Sequence, residues 1–219
     1  MLISAMWLLL LGAAIAALLM LRAMTASRDL RVESDRFSVE HAEADAIETI
    51  AADLVFSGPA SHWSQLPASG MLTLDGRGID ATTTNEDSFL DVNKADPKLI
   101  DGLLQDRGYD PATRTALLGR IALARASGLG IASYADVASL GHDIVPVGTE
   151  DCLLNVLSPF GGIGQASGPK IVRAGGVVRV SFGNGVHRHL QTLRLVAGND
   201  RPYALLDDYQ MDCASGAGA

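Results

Sequence analysis

From Met1 to Leu21 the chain has no charged side chain, and Ser4 and Gly12 are the only residues there of non-hydrophobic type. A run this long and this apolar is not an ordinary surface segment, because about 20 such residues in a helix cross the hydrocarbon core of a bilayer. A removable signal is argued against by two further absences: nothing basic precedes the run, and Leu21-Arg22-Ala23-Met24 is a poor small-residue cleavage site. The run therefore predicts an uncleaved membrane helix, with Leu2, Met6, Trp7, Leu10, Gly12, Ala13, Ala17 and Leu21 among the residues that face lipid or neighbouring helices.

Residues 25–56 lack both glycine and proline, the two strongest helix breakers. Leu30, Phe37, Ala44, Ile47, Ile50 and Leu54 fall at spacings of 3, 4 or 7, which is the stripe of an amphipathic helix. Leu2 to Phe56 is thus expected to form one helix of roughly 80 Å, half in lipid and half laid on a domain. Surplus positive charge is missing too. A net charge of -8 and a pI near 5.0 argue against a general nucleic-acid binder. The two cysteines, Cys152 and Cys213, match no metal-ligand spacing, and sequence leaves open whether they pair or stay as separate thiols.

Beyond the helix the punctuation changes. Ser57-Gly58-Pro59 is a stop signal, and the glycines and prolines from Ala60 to Ser88 break the chain into short pieces, the start of a small antiparallel sheet. Asp96-Pro97 and Asp110-Pro111 each pair an N-cap with proline at the first helical position. With Ser133 to Val137 as a third short helix, they predict a helical lobe. After Asp143 the character returns to strand: Ile171 to Phe182, Val186 to Ala197, and Tyr203 to Tyr209, with Gly183-Asn184-Gly185 as a hairpin signal.

Several stretches suggest chemistry, and each has a plainer account. Gly162 to Gly168 is glycine-rich like a phosphate cradle, but Gly168-Pro169 leads to a strand rather than to the helix such a cradle needs, so a flexible connection is expected. His187 and His189 share a strand face as two metal ligands would, with no third ligand close in sequence. Glu86, Asp87 and Asp91 are candidate calcium ligands in an oxygen-rich run that lacks EF-hand spacing and is also explained by turns and caps. No Gly-x-Ser-x-Gly nucleophile motif is present, so neither catalytic nor cofactor-binding residues are assigned. Asn93 to Ile100 with the helix after it resembles a helix-hairpin-helix of membrane-anchored DNA-uptake proteins. Its turn, Arg107-Gly108-Tyr109-Asp110, places an acidic group where phosphate would dock, and Asp91 to Gly141 balances six acidic against six basic residues.

Three stretches together resemble the K-type minor pseudopilin of type II secretion, the general secretion pathway protein K family. Leu2 to Ala26, with Met6-Trp7-Leu8, looks like its hydrophobic N-terminal helix. Glu86-Asp87-Ser88-Phe89-Leu90-Asp91-Val92-Asn93-Lys94-Ala95 is similar to its acidic signature before an inserted helical domain. Val177 to Tyr209, with Arg201-Pro202-Tyr203, looks like its C-terminal sheet. The usual pilin glutamate is absent near the N-terminus, where Ser4 and Ala5 stand, as is typical of the K subunit.

The resemblance implies an α+β, pilin-like fold: a long N-terminal helix with a transmembrane first half, packed on a small antiparallel sheet, with an inserted helical lobe. The expected division is a stalk over 1–57, a head over 58–90 and 142–213, an insert over 91–141, and a disordered tail over 214–219. It implies a non-enzymatic subunit at the pseudopilus tip, supporting protein export across the outer membrane. Its partners would be the I- and J-type minor pseudopilins and, before assembly, inner-membrane lipid, with no nucleic acid and no cofactor beyond the calcium named above. The head would lie in the periplasm. Arg22, Arg28 and Arg31 after the anchor point the other way under the positive-inside rule, so a basic leader before Met1 is expected. A membrane-anchored DNA-binding protein is the alternative, and an anchored enzyme of unstated chemistry is the third class.

Overall fold

A computed structural model describes residues 18, 20–22, 24, 28, 37–74, 76–146, 150–163, 174–183, 187–198 and 201–213. The chain divides into two units, residues 1–44 and 45–219. In the first, the described residues are helical: 18, 20–22, 24, 28 and 37–44. Among the described residues no helix is long and apolar enough to cross a membrane. Of the residues expected to face lipid, only Leu21 is described, helical and exposed; Leu2, Met6, Trp7, Leu10, Gly12, Ala13 and Ala17 lie outside the described residues, as do most of the expected 80 Å helix and the tail 214–219.

The second unit is α+β. It opens with helix α1 (residues 45–56), whose Ala46, Ile47, Ile50, Ala51 and Leu54 are all buried. The expected stripe holds at Ile47, Ile50 and Leu54, while Phe37 and Ala44 are exposed and Leu30 lies outside the described residues. Gly58, at φ +52°, and Pro59 in a following 3-10 turn end the helix, because neither residue continues an α-helix and glycine alone takes positive φ without strain.

The sheet has five strands, all antiparallel, in the order β1 (Ala68–Leu74), β2 (Arg77–Asn85), β5 (Val177–Phe182), β6 (His187–Leu195), β7 (Tyr203–Asp212). The last strand runs three residues beyond the expected Tyr209, its final pairs joining Met211 and Asp212 to Arg188 and His187. A separate parallel pair joins β3 (Leu90–Asp91) to β4 (Leu157–Ser158).

Alternation along the strands sends two different sets of side chains to the two faces. Val178, Val180, Phe182, Leu193 and Leu195 pack with Ala46, Ile47, Ile50, Ala51 and Leu54 of α1 in one core. Leu190 and Met211, from the opposite face, join a second core with Ile100, Leu104, Leu117, Ile121, Tyr134, Val137, Leu153 and Leu154. Each buried Leu or Ile contributes about 1.5–3 kcal/mol of apolar transfer, so both layers are held by the same force on opposite sides of one sheet.

The second core belongs to a lobe that leaves the sheet after Asn85 and rejoins it at Val177, although β2 and β5 are direct neighbours. Its helices are α2 (Pro97–Asp106), α3 (Pro111–Ala126) and α4 (Tyr134–Gly141). Asp96, Asp110 and Ser133 cap them, the first two with proline at the start as the sequence predicts. The glycine-rich stretch is less loose at its beginning than expected. Gly162 donates to Phe89 O at 2.9 Å and accepts from Asp91 N at 2.8 Å, and a Cβ on Gly161 would meet Phe89 O at 2.4 Å. Gly161-Gly162 is therefore a close backbone crossing; the rest of the loop, 164–173, lies outside the described residues.

Cys152 and Cys213 form a disulfide with Cα atoms 5.0 Å apart, closing 61 residues of chain between the lobe and the end of β7. This settles the pairing that sequence leaves open. Closing a loop of that size restricts the unfolded chain, a gain of about 4 kcal/mol. Reduction with dithiothreitol should lower stability by that order in denaturant unfolding, and the Cys152→Ser/Cys213→Ser double variant should show the same loss without responding to reductant.

Candidate functional site

The acidic signature is where the lobe departs from the sheet, and its Glu86, Asp91, Asn93 and Lys94 have defined partners. Asn85 at the end of β2 accepts from Asp87 N at 3.0 Å and starts the 3-10 turn Glu86–Ser88. The turn points Glu86 inward, with no exposed surface. Arg179 of β5, also buried, meets it through Nε to Oε2 at 3.0 Å and Nη2 to Oε1 at 2.8 Å. The hydroxyl of Tyr134 at the start of α4 donates to Glu86 Oε1 at 3.0 Å, and that of Ser158 in β4 donates to the same oxygen. Thr192 of β6 shares a hydrogen bond with the Tyr134 hydroxyl. Arg179 also donates Nη1 to Leu154 O at 2.6 Å and lies over the Phe89 ring at 3.6 Å.

This is a closed electrostatic unit joining β2, β4, β5, β6 and α4. Burial alone disfavours the charge on Arg179, but the adjacent Glu86, with a smaller contribution from Tyr134, outweighs it and holds the guanidinium above its ordinary value. Burial likewise pushes the Tyr134 phenol well up, against the opposing pull of Arg179, so the phenol remains a donor. All four acceptor bonds on Glu86 come from within the fold, which leaves the group a structural tie.

Asp91 and Asn93 extend the tie. Asp91, buried, accepts from Asn93 N at 2.7 Å, Lys94 N at 3.2 Å and Lys94 Nζ at 2.8 Å. Asn93 clamps Ile131, accepting its N-H at 2.8 Å and donating to its carbonyl at 2.7 Å. Arg125 of α3 holds the carbonyls of Val92 and Ala95, both at 2.8 Å. The three calcium candidates are thus dispersed: Glu86 faces Arg179, Asp91 faces Lys94, and Asp87 is on the surface. Among the described residues no group of three or more His, Cys, Asp or Glu is arranged to hold a metal ion.

His187 and His189 do share a face of β6, and the structure supplies each with a carboxylate from β7: His187 Nδ1 to Asp212 Oδ1 at 2.6 Å, and His189 Nε2 to Asp208. The helix starts of the lobe bear on the DNA reading. Phosphate docking there needs free backbone amides. Asp110 takes the amides of Ala112 at 2.9 Å and Thr113 at 3.1 Å. Asp136 takes those of Ala132 and Ser133, both at 3.0 Å, and Asp207 takes that of Tyr134 at 2.6 Å. At the starts of α3 and α4 the amides of Ala112, Thr113 and Tyr134 are thus already held by carboxylates.

Sequence reasoning reached Glu86 and Asp91 but not Arg179, Tyr134, Ser158 or Thr192. One signal was available: Arg179 interrupts Val177-Val178-Arg179-Val180, and a charge inside a buried strand needs a buried partner. No family model, no curated protein and no solved structure matches the chain.

Arg179→Met should cost about 3–5 kcal/mol in denaturant unfolding, because it strands the Glu86 carboxylate in the core. The double variant Glu86→Leu/Arg179→Met should recover most of that loss. Asp110 tests pH dependence. The Thr113 hydroxyl, then the Thr113 amide, hold its carboxyl below the ordinary 3.8. A depressed folded-state value stabilises above the unfolded value and is lost as pH falls through the folded one. Melting curves should therefore separate the protein from Asp110→Asn by a constant interval above about pH 5 and by a shrinking interval below pH 4.

Proposed function

We propose that the chain is a non-enzymatic minor pseudopilin of K type, a tip subunit of the type II secretion pseudopilus. The observation that carries this reading is the layering of residues 45–213: an N-terminal helix on one face of an antiparallel sheet, and on the other face a lobe that leaves and rejoins the sheet between two adjacent strands. In sequence that helix follows the apolar run 1–21, the order of parts that the motifs imply for a pilin-like stalk and head. The disulfide supports a head on the oxidising side of the inner membrane, since disulfides persist in the periplasm and are rare in the cytosol. The apolar run then rests in the inner membrane until assembly, and its small residues Gly12, Ala13 and Ala17 allow neighbouring helices to approach.

The helical lobe gives the subunit bulk rather than a phosphate-binding turn, because the amides of Ala112 and Thr113 at the start of α3 and of Tyr134 at the start of α4 are occupied by Asp110 and Asp207. Co-expression of the full chain with I- and J-type minor pseudopilins should yield a complex that survives affinity purification from detergent extracts. A chain that stays apart from both partners and is instead retained on DNA-cellulose in a salt-dependent manner would overturn the reading in favour of a DNA receptor.

A further inference from the structure

Among the described residues of the second unit, the arginines that are not exposed have their charge accounted for, with one exception. Arg179 faces Glu86 and Arg114 faces Asp101 at 3.0 Å. Arg120 donates to the carbonyls of Ser139, Leu140 and His142, and Arg125 to those of Val92 and Ala95. Arg188 of β6, partly buried, has a single hydrogen bond, from Nη2 to Asn155 Oδ1 at 2.8 Å. Its Nε is enclosed without any acceptor, and among the described residues it makes no ion pair. Burial, and then the like charge of Arg179, lower its pKa. An enclosed donor without a partner is uncommon in folded proteins, and an absent ion or ligand is one of its recognised causes.

We propose that Arg188, beside Asn155, forms a receptor for a carboxylate. A guanidinium presents parallel N-H groups that match the two oxygens of a carboxylate, and such charge-assisted bidentate pairs are about twice as strong as a neutral bond like the one to Asn155. The flexible stem of Arg188 can turn the fork outward, exchanging that one bond for two and giving Nε its missing acceptor. The receptor wall is rigid. Asn155 also donates Nδ2 to Cys213 Sγ at 3.6 Å, and the Cys152–Cys213 bridge ties this corner of the lobe to the end of β7 beside Met211, the cross-strand neighbour of Arg188. The ligand is either a small free carboxylate or a glutamate side chain presented by a partner chain.

The test is thermal unfolding of the full chain in detergent micelles, with sodium chloride exchanged for sodium acetate at constant ionic strength, and separately with a glutamate-containing hexapeptide added. Acetate at about ten times its dissociation constant should raise the midpoint by about 3 °C, and Arg188→Met and Arg188→Gln should abolish the rise. In chloride, Arg188→Met should unfold within about 1 °C of the unaltered chain, since an unsatisfied cation is replaced by an apolar chain of similar length. A response to the peptide at lower concentrations than to acetate would assign the receptor to a partner chain, and an equal response to a small free carboxylate. An equal acetate shift in chain and variants, or no shift in any, would overturn the proposal. So would an Arg188→Met loss as large as that of Arg179→Met, because the charge would then already be satisfied inside the fold.

Discussion

The buried pair of Glu86 and Arg179 is the constraint on which the rest of the second unit depends. Removing two charges from water is costly, and the cost is offset only when geometry and further hydrogen bonds are nearly complete. Here they are: two contacts within the pair, two hydroxyls on Glu86, and the Leu154 carbonyl on Arg179. Those partners come from β4, β5, α4, the 3-10 turn after β2 and the segment before β4. No pair of these elements can shift without exposing an unpaired charge to an apolar core. The pair is thus less a source of net stability than a device that admits one arrangement of lobe on sheet, with the apolar layers supplying most of the energy.

Around that tie, other polar contacts are organised by the same rule. Asp91 and Asn93 fix the chain where it enters the lobe, Asn93 by gripping both backbone groups of Ile131. Arg125 answers two carbonyls that the entering chain would otherwise leave without donors. Gly161 and Gly162 let the returning chain pass against the same segment at a distance no side chain permits. Entry and exit of the lobe are therefore one joint, and the disulfide fastens its far side to β7.

The arrangement also explains why the same acidic residues suggest so many functions when met as a sequence. Glu86, Asp87 and Asp91 are close along the chain, as ligands of a cation would be, but the turn at Glu86–Ser88 sends them toward three different surroundings. Asp110 sits in a turn of the kind that could offer amides to a phosphate, and it closes that offer with its own carboxylate. A half-buried cation without a carboxylate partner among the described residues, Arg188, attracted no notice in the sequence because an arginine on a strand beside two histidines looks like ordinary surface.

Local physics made some features legible in advance. The stripe of Ile47, Ile50 and Leu54, the Asp-Pro helix starts at Asp96 and Asp110, the stop at Gly58-Pro59 and the antiparallel strand set all follow from periodicity, capping and backbone restriction, which act over a few neighbouring residues. Only the tertiary structure decided that Glu86 meets Arg179 across 93 positions, that Cys152 bonds Cys213 across 61, and that β2 lies beside β5 with the lobe between them in sequence. The reason is physical: those contacts depend on which faces are buried together, and a pattern of neighbours along a chain carries the tendency to be buried but not the identity of what it is buried against.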